Sequence, residues 1–140
     1  MSIKVTSQAL DEIRQSGAAA DPLEACGLLL GSQQDGVNAI TLAVETRNAH
    51  PTPLTNFEIE PQALIDAYRE ERNGGPCLMG YFHSHPTGKP EPSLVDQTQS
   101  PRDGRIWAIV SGNEVRFWKD QPDGFAPLDH EVFDAVRSTP

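Results

Sequence analysis

The sequence has no Cys-x-x-Cys pair, no apolar window long enough for a membrane helix, and no basic run longer than a pair. Each absence removes a class of protein. Without paired cysteines at short spacing, the chain lacks the usual pattern of a closed structural metal site. A membrane span needs about eighteen apolar residues, so no membrane partner is expected. A surface that tracks nucleic-acid phosphates needs clustered Lys and Arg, so no nucleic-acid partner is expected either. The opening "MSIKVTSQALDEIRQSG" has neither the apolar core nor the small-residue cleavage pattern of a secretory leader. A cytoplasmic location is the expectation.

Cysteine is scarce. Cys26 and Cys77 each sit inside an apolar run, which suits reduced, buried thiols better than a disulfide framework, although their spacing leaves a pair open. Repeats, low-complexity tracts and Ser/Gly linkers are also missing, so the 140 residues are expected to form one domain, 1–140, around one core. Eleven Lys and Arg against twenty Asp and Glu leave a net charge of -9, an acidic shell that mainly serves solubility.

Periodicity and punctuation give the elements that are present. A short extended start at Ile3 to Val5 precedes "SQALDEIRQSGAAA", where Ser7 is the expected N-cap and Asp11 and Glu12 fall in the early turns. "ACGLLLGS" reads as a buried strand and "NAITLAVETRN" as a half-buried one, joined through "SQQDG" as a hairpin turn. A short extended piece is expected at Phe57 to Ile59. Pro61 opens a second helix that runs to about Asn73, with Leu64, Ile65, Tyr68 and Arg72 as its core-facing stripe. "CLMGYFHSH" reads as a buried strand, "PTGKPEP" as a loop and "SLVDQTQS" as a short helix. "RIWAIVSG" and "EVRFWK" read as strands around a Gly-Asn turn. The interleaving is α/β without a strict βαβ rhythm, which predicts a mixed sheet flanked by helices.

The stretch "GYFHSHPTGKPEPSLVD" carries the chemistry. In a strand, residues two apart share a face, so His83 and His85 project to one side while Ser84 points away. Two imidazoles there are either a hydrogen-bonded pair at a strand end or two metal ligands. Ser93-x-x-Asp96 before a helix is a capping box in its own right. A helix starting there can also bring Asp96 back over the strand tip. Two histidines and one carboxylate, with a fourth position left for water, are the ligand set of a catalytic zinc. Such a site needs a base, and Glu24, Glu45, Glu58, Glu60 and Glu91 are the candidates. Glu24 stands out because it lies at the mouth of a buried strand, where an unpaired carboxylate is costly; a strand-end salt bridge is the other reading of it.

Taken together, Glu24 before an apolar strand, "HSH" at 83 to 85, Pro86, and Ser93 with Asp96 resemble the signature of the JAMM (MPN-plus) metalloprotease family. "EACGLLLG", "NFEIEP", "GYFHSHP" and "WAIVSG" follow that family's order over nearly the whole chain. The resemblance implies a cytidine-deaminase-like α-β-α sandwich with a curved mixed sheet flanked by helices. It implies one Zn2+ held by His83, His85 and Asp96, with Glu24 as general base and Ser93 on the oxyanion. It implies a metallopeptidase that cuts the peptide or isopeptide bond after the C-terminal Gly-Gly of a ubiquitin-like β-grasp protein. The chain lacks the long insertions of eukaryotic deubiquitinases, so a bacterial-type enzyme acting on a sulfur-carrier protein is expected, as in cysteine or other sulfur-metabolite biosynthesis. Other readings are an isopeptidase on another ubiquitin-like modifier and a non-catalytic zinc-stabilised binding module. A hydrolase of small amides or nucleobases is disfavoured, since deaminases of that fold hold zinc with paired cysteines.

Three smaller expectations complete the sequence reading. The proline-rich piece from Asn48 to Phe57 lies where the family has a substrate-facing segment, and offers either an edge for an extended tail or a plain loop stiffened by Pro51 and Pro53. His50 and His130 are expected at the surface or hydrogen-bonded, and Trp107 and Trp118 in the core. Cys26 lies near Glu24 in sequence, where a redox role is conceivable but not favoured.

Overall fold

In the computed structural model, which describes residues 2–134, β1 (Ser2–Thr6) leads directly into α1 (Ser7–Ala20). Thr6, not Ser7, is the N-cap: its hydroxyl oxygen accepts the Ala9 N–H at 3.1 Å while its backbone stays extended. The strand therefore ends on the residue that starts the helix. A hairpin of β2 (Cys26–Gln34) and β3 (Val37–Thr46) follows, turning at Asp35 and Gly36, both at positive φ. Next come α2 (Pro61–Arg72), β4 (Cys77–Ser84), α3 (Leu94–Gln99), β5 (Ile106–Ser111), β6 (Glu114–Gln121) and β7 (Gly124–Phe133).

The sheet is mixed, as expected, but it closes on itself. Its order is β1-β3-β2-β4-β5-β6-β7, and β1 pairs in parallel with both β3 and β7 to complete a barrel. The sequence reading contained no β7, because Pro127 and the polar run from Asp129 to Glu131 interrupt its alternation. Its partners define it instead: Pro127 sits opposite Trp118, and Ser2 to Thr6 pair with residues 129 to 133.

One core is expected, but alternation along the central strands packs two apolar clusters among the described residues, one on each face of the sheet. Leu29 of β2, Phe82 of β4, and Ala108 and Val110 of β5 face α1, where Ala9, Leu10 and Ile13 meet them. Cys26 and Leu28 of β2, Tyr81 of β4 and Trp107 of β5 face the other way and pack with Ala67 of α2. Side chains such as Ile13, Leu29 and Phe82 are essentially fully buried, each contributing about 1.5–3 kcal/mol. The stripe on α2 differs from expectation. Ala63, Leu64 and Ala67 face the sheet, while Ile65 and Tyr68 remain exposed. Small residues let this helix lie close. Tyr68 instead takes the Arg105 guanidinium over its ring at 5.6 Å. Gly80 is required where β4 meets β5, since a Cβ there would collide with the Ile106 carbonyl.

Candidate metal centre

Strand register places the central residues. β2 and β4 are antiparallel with Cys26 opposite His83. Beyond the last regular pair, the Ala25 N–H donates to the Ser84 hydroxyl oxygen at 2.8 Å and the Ser84 N–H to the Ala25 carbonyl at 3.0 Å. One further step along this register sets Glu24 beside His85. Ser84 thus serves the framework, while its two histidine neighbours turn to the opposite face as the period-two rule requires.

The Nε2 atoms of His83 and His85 lie 3.1 Å apart, and each is 3.1 Å from Asp96 Oδ2. His83 is fully buried and Asp96 nearly so. The tautomer of His85 follows from its other nitrogen. Nδ1 faces the Lys89 carbonyl oxygen at 2.8 Å, and a carbonyl can only accept, so Nδ1 carries the hydrogen. A neutral His85 then points a lone pair at a carboxylate. Such a contact needs a positive charge between the atoms. Without a metal it is a second proton, and although burial opposes this, Asp96 and the Lys89 carbonyl outweigh it and push the His85 pKa up. Burial pulls His83 the other way, keeping that imidazole neutral. Burial alone would raise Asp96, but hydrogen bonds with His83 and His85 hold it well below the usual carboxylate range. Tetrahedral zinc bonds of about 2.0–2.1 Å place ligand atoms roughly 3.3 Å apart, and the observed triangle matches that spacing. The donor set fits a divalent cation.

α3 delivers Asp96 through the capping box. The Asp96 N–H donates to Ser93 Oγ at 3.0 Å and the Ser93 N–H donates to Asp96 Oδ2 at 2.9 Å. Cap and centre share one carboxylate, so the two readings of this motif are both true. In the cap Ser93 Oγ is an acceptor, which leaves its hydroxyl hydrogen free to be given elsewhere.

Glu24 is 7% exposed, and its buried Oε1 has no hydrogen-bond partner. The salt bridge foreseen as an alternative for it is absent among the described residues. Burial raises its pKa from 4.5 to about 7; the charge of His85 lowers it and that of Asp96 adds to the rise. Both of these charged neighbours belong to the triangle.

The segment from Asn48 to Phe57 forms turns, with no strand beyond a single bridge of Asn48 to Ile59. Phe57 stacks on His83, ring centroids 4.2 Å apart, while Trp107 meets the same imidazole edge-on. Phe57, Trp107, Tyr81, Leu64 and Asp96 are among the residues lining a cavity of about 400 Å³ against the centre. Trp107 is buried as expected. Trp118 is half-buried, and its indole N–H donates to the Pro90 carbonyl at 3.1 Å, tying down the loop between His85 and α3. His50 is hydrogen-bonded through Nδ1 to the Thr52 N–H, and His130 lies against the Phe117 ring. Neither joins the triangle. Both cysteines are free, and burial raises the Cys26 thiol to about 11, far from a reactive thiolate.

Two contributors were not foreseen, Phe57 as a platform for His83 and Asn48. Asn48 has a readable signal, since an asparagine two residues before a backbone N–H often caps a turn. Its Oδ1 accepts the His50 N–H at 3.1 Å.

Residues 6–121 match the family model described as prokaryotic homologs of the JAB domain. A Haloferax volcanii protein named desampylase is 28% identical over 102 residues, 73% of this chain and 72% of the relative. A Thermus thermophilus protein named a probable TtuB-protein conjugate cleaving protease is 32% identical over 87 residues, 62% of this chain and 55% of the relative. Among solved structures, a Salinibacter ruber protein aligns with a TM-score of 0.70 at 30% identity, covering 99% of this chain and 95% of that one. A JAB1/MPN domain protein from Archaeoglobus fulgidus aligns at 0.58 and 20% identity over 93% and 97% of the two chains, a likeness of fold alone.

Proposed function

Since the chain belongs to the family of prokaryotic JAB-domain homologues, we propose that it is a zinc-dependent metallopeptidase acting on a ubiquitin-like β-grasp protein. The observation that carries the proposal is the triangle of His83 Nε2, His85 Nε2 and Asp96 Oδ2, three atoms able to ligate a metal ion and each 3.1 Å from the other two. We read residues 1–140 as one such domain, with the cytidine-deaminase-like sandwich as the layered core of its closed sheet. The placement of α1 and α2 on opposite sheet faces supports that reading.

Zinc at the triangle would supply a water acidified to a pKa near 7 and a Lewis acid for the scissile carbonyl. The chain's own groups do the rest. Glu24 takes a proton from the attacking water and returns it to the leaving amine, a role open to a buried carboxylate whose Oε1 is engaged by no other group. Ser93, accepting from Asp96 N–H in the cap, gives its hydroxyl hydrogen to the oxyanion. The hydrogen bond from His85 Nδ1 to Lys89 fixes the tautomer that coordination needs. Phe57 and Trp107 hold the His83 ring.

The substrate is the bond after a C-terminal Gly-Gly, and the favoured protein is a sulfur carrier of cysteine or other sulfur-metabolite biosynthesis. The names of the relatives, a desampylase and a conjugate cleaving protease, also favour isopeptide-linked conjugates of a ubiquitin-like modifier as substrates. Incubating the zinc-loaded protein with a carrier extended beyond its Gly-Gly, and with the same carrier linked to a lysine, tests both. Mass spectrometry should find a free Gly-Gly terminus with wild type and none with Glu24→Gln. Intact substrates that stay bound to both proteins would instead identify a binding module.

A further inference from the structure

Asn48 is joined to the centre through Glu24, and no catalytic role has been assigned to it. Its side-chain amide uses both ends fully. Nδ2 donates to the Glu24 carbonyl at 3.0 Å and to the Asn56 carbonyl at 2.9 Å. Oδ1 accepts the His50 and Glu58 N–H groups, each at 3.1 Å. The turn that carries Glu24 is held from its other side as well, because the Glu24 N–H donates to the Pro53 carbonyl at 2.8 Å. Both backbone polar groups of Glu24 therefore bond to the segment from Asn48 to Phe57. The side-chain carboxylate has no comparable anchor, since its buried Oε1 has no partner. A carboxylate in that condition relaxes toward water unless its backbone is pinned.

We propose that Asn48 is a positioning residue that holds Glu24 in its buried, unpartnered place facing the triangle. The same amide fixes the loop whose His50, Phe57 and Glu58 wall the adjacent cavity. One side chain thus joins the cavity wall to the base. Any group that presses on this wall meets a hydrogen-bond path of two links to Glu24. As catalysis, the proposal rests on the metallopeptidase reading. As structure, it can be tested without it.

The structural test is a double-mutant comparison on chelator-treated protein at about pH 8, where the buried carboxylate is ionised. Glu24→Gln should stabilise the wild-type background, because it removes an uncompensated charge. In Asn48→Ala that gain should largely disappear, since a released Glu24 is already solvated. Asn56→Ala is the control, for it removes loop bonds to Thr52 and Thr55 but leaves the Asn56 carbonyl that Asn48 holds. The gain should persist there. Asn48→Ser gives the same comparison if Asn48→Ala does not fold. An undiminished gain in the Asn48 variants, or an equal loss in Asn56→Ala, would reduce Asn48 to a loop brace. The catalytic test uses zinc-loaded protein and the Gly-Gly substrate. Displacing a base by about 1 Å can lower kcat about 100-fold, so Asn48→Ala should lose kcat on that scale with zinc content preserved, beyond any change in KM from the loosened cavity wall. A loss confined to KM would overturn the positioning role. Absence of cleavage by wild type would overturn the metallopeptidase reading alone, leaving the stability comparison to decide Asn48.

Discussion

Replacing Glu24 by Gln should stabilise the metal-free protein at neutral and alkaline pH, although the substitution lies at the centre of the site. The magnitude follows from burial. Folding raises the Glu24 pKa from 4.5 to about 7, so between these values the folded chain keeps a proton that the unfolded chain has lost. Stability then falls as pH rises, by about 1.4 kcal/mol per pH unit, and the full interval amounts to about 3 kcal/mol. Below about pH 4.5 both states are protonated and this penalty vanishes; above about pH 7 it is complete. Gln has nearly the same shape and no charge to desolvate. Its own unpaired amide carries a cost, but one that does not change with pH. The quantity to measure is therefore the difference between wild type and Glu24→Gln in urea unfolding at about pH 8, minus the same difference at about pH 4, in the presence of a chelator. It should favour Gln by up to about 3 kcal/mol. A chelator is needed because a bound cation would itself stabilise the carboxylate. If the difference is flat with pH, or if Gln is the less stable at about pH 8, Glu24 has a partner in solution and the orphaned-base account is wrong.

Two further substitutions separate framework from chemistry. Ser93→Ala should lower stability by about 1 kcal/mol through the lost cap and kcat by about 100-fold through the lost oxyanion donor, with zinc content unchanged. Ser93→Thr should recover both, and a stability loss without a kinetic one would leave Ser93 a cap only. Gly80→Ala should lower the urea midpoint strongly, since the new methyl meets backbone of the neighbouring strand and not a yielding side chain. An unchanged midpoint would mean that β4 and β5 are less tightly joined than they stand here.

The parts of this protein readable from sequence are those fixed by local rules. The two-residue spacing of His83 and His85, the four-residue span from Ser93 to Asp96 and the apolar runs of β2, β4 and β5 each dictate geometry within one element. That α3 can carry Asp96 back over the tip of β4 follows from the capping box; the family resemblance is what turns that possibility into a ligand set. What escaped depends on pairing across the chain. β7 has no pattern of its own and exists because β1 and β6 offer it two edges. The stripe on α2 departs from expectation because Ile65 and Tyr68 are larger than Ala63 and Ala67, and apolar size predicts burial, whereas close packing favours the small residues. Thr6 replaced Ser7 as N-cap for a similar reason, since β1 runs directly into α1. Asn48 escapes a local reading because its partners lie up to 24 positions away.

Metal content tests the central claim most directly. Elemental analysis of the purified protein should find about one zinc per chain in wild type and in Glu24→Gln, and little in His83→Ala and Asp96→Ala, each of which removes one of the three proposed ligands. Wild type without zinc after saturation and desalting, or zinc retained by both ligand variants, would contradict the account and leave Asp96 as the capping residue of α3.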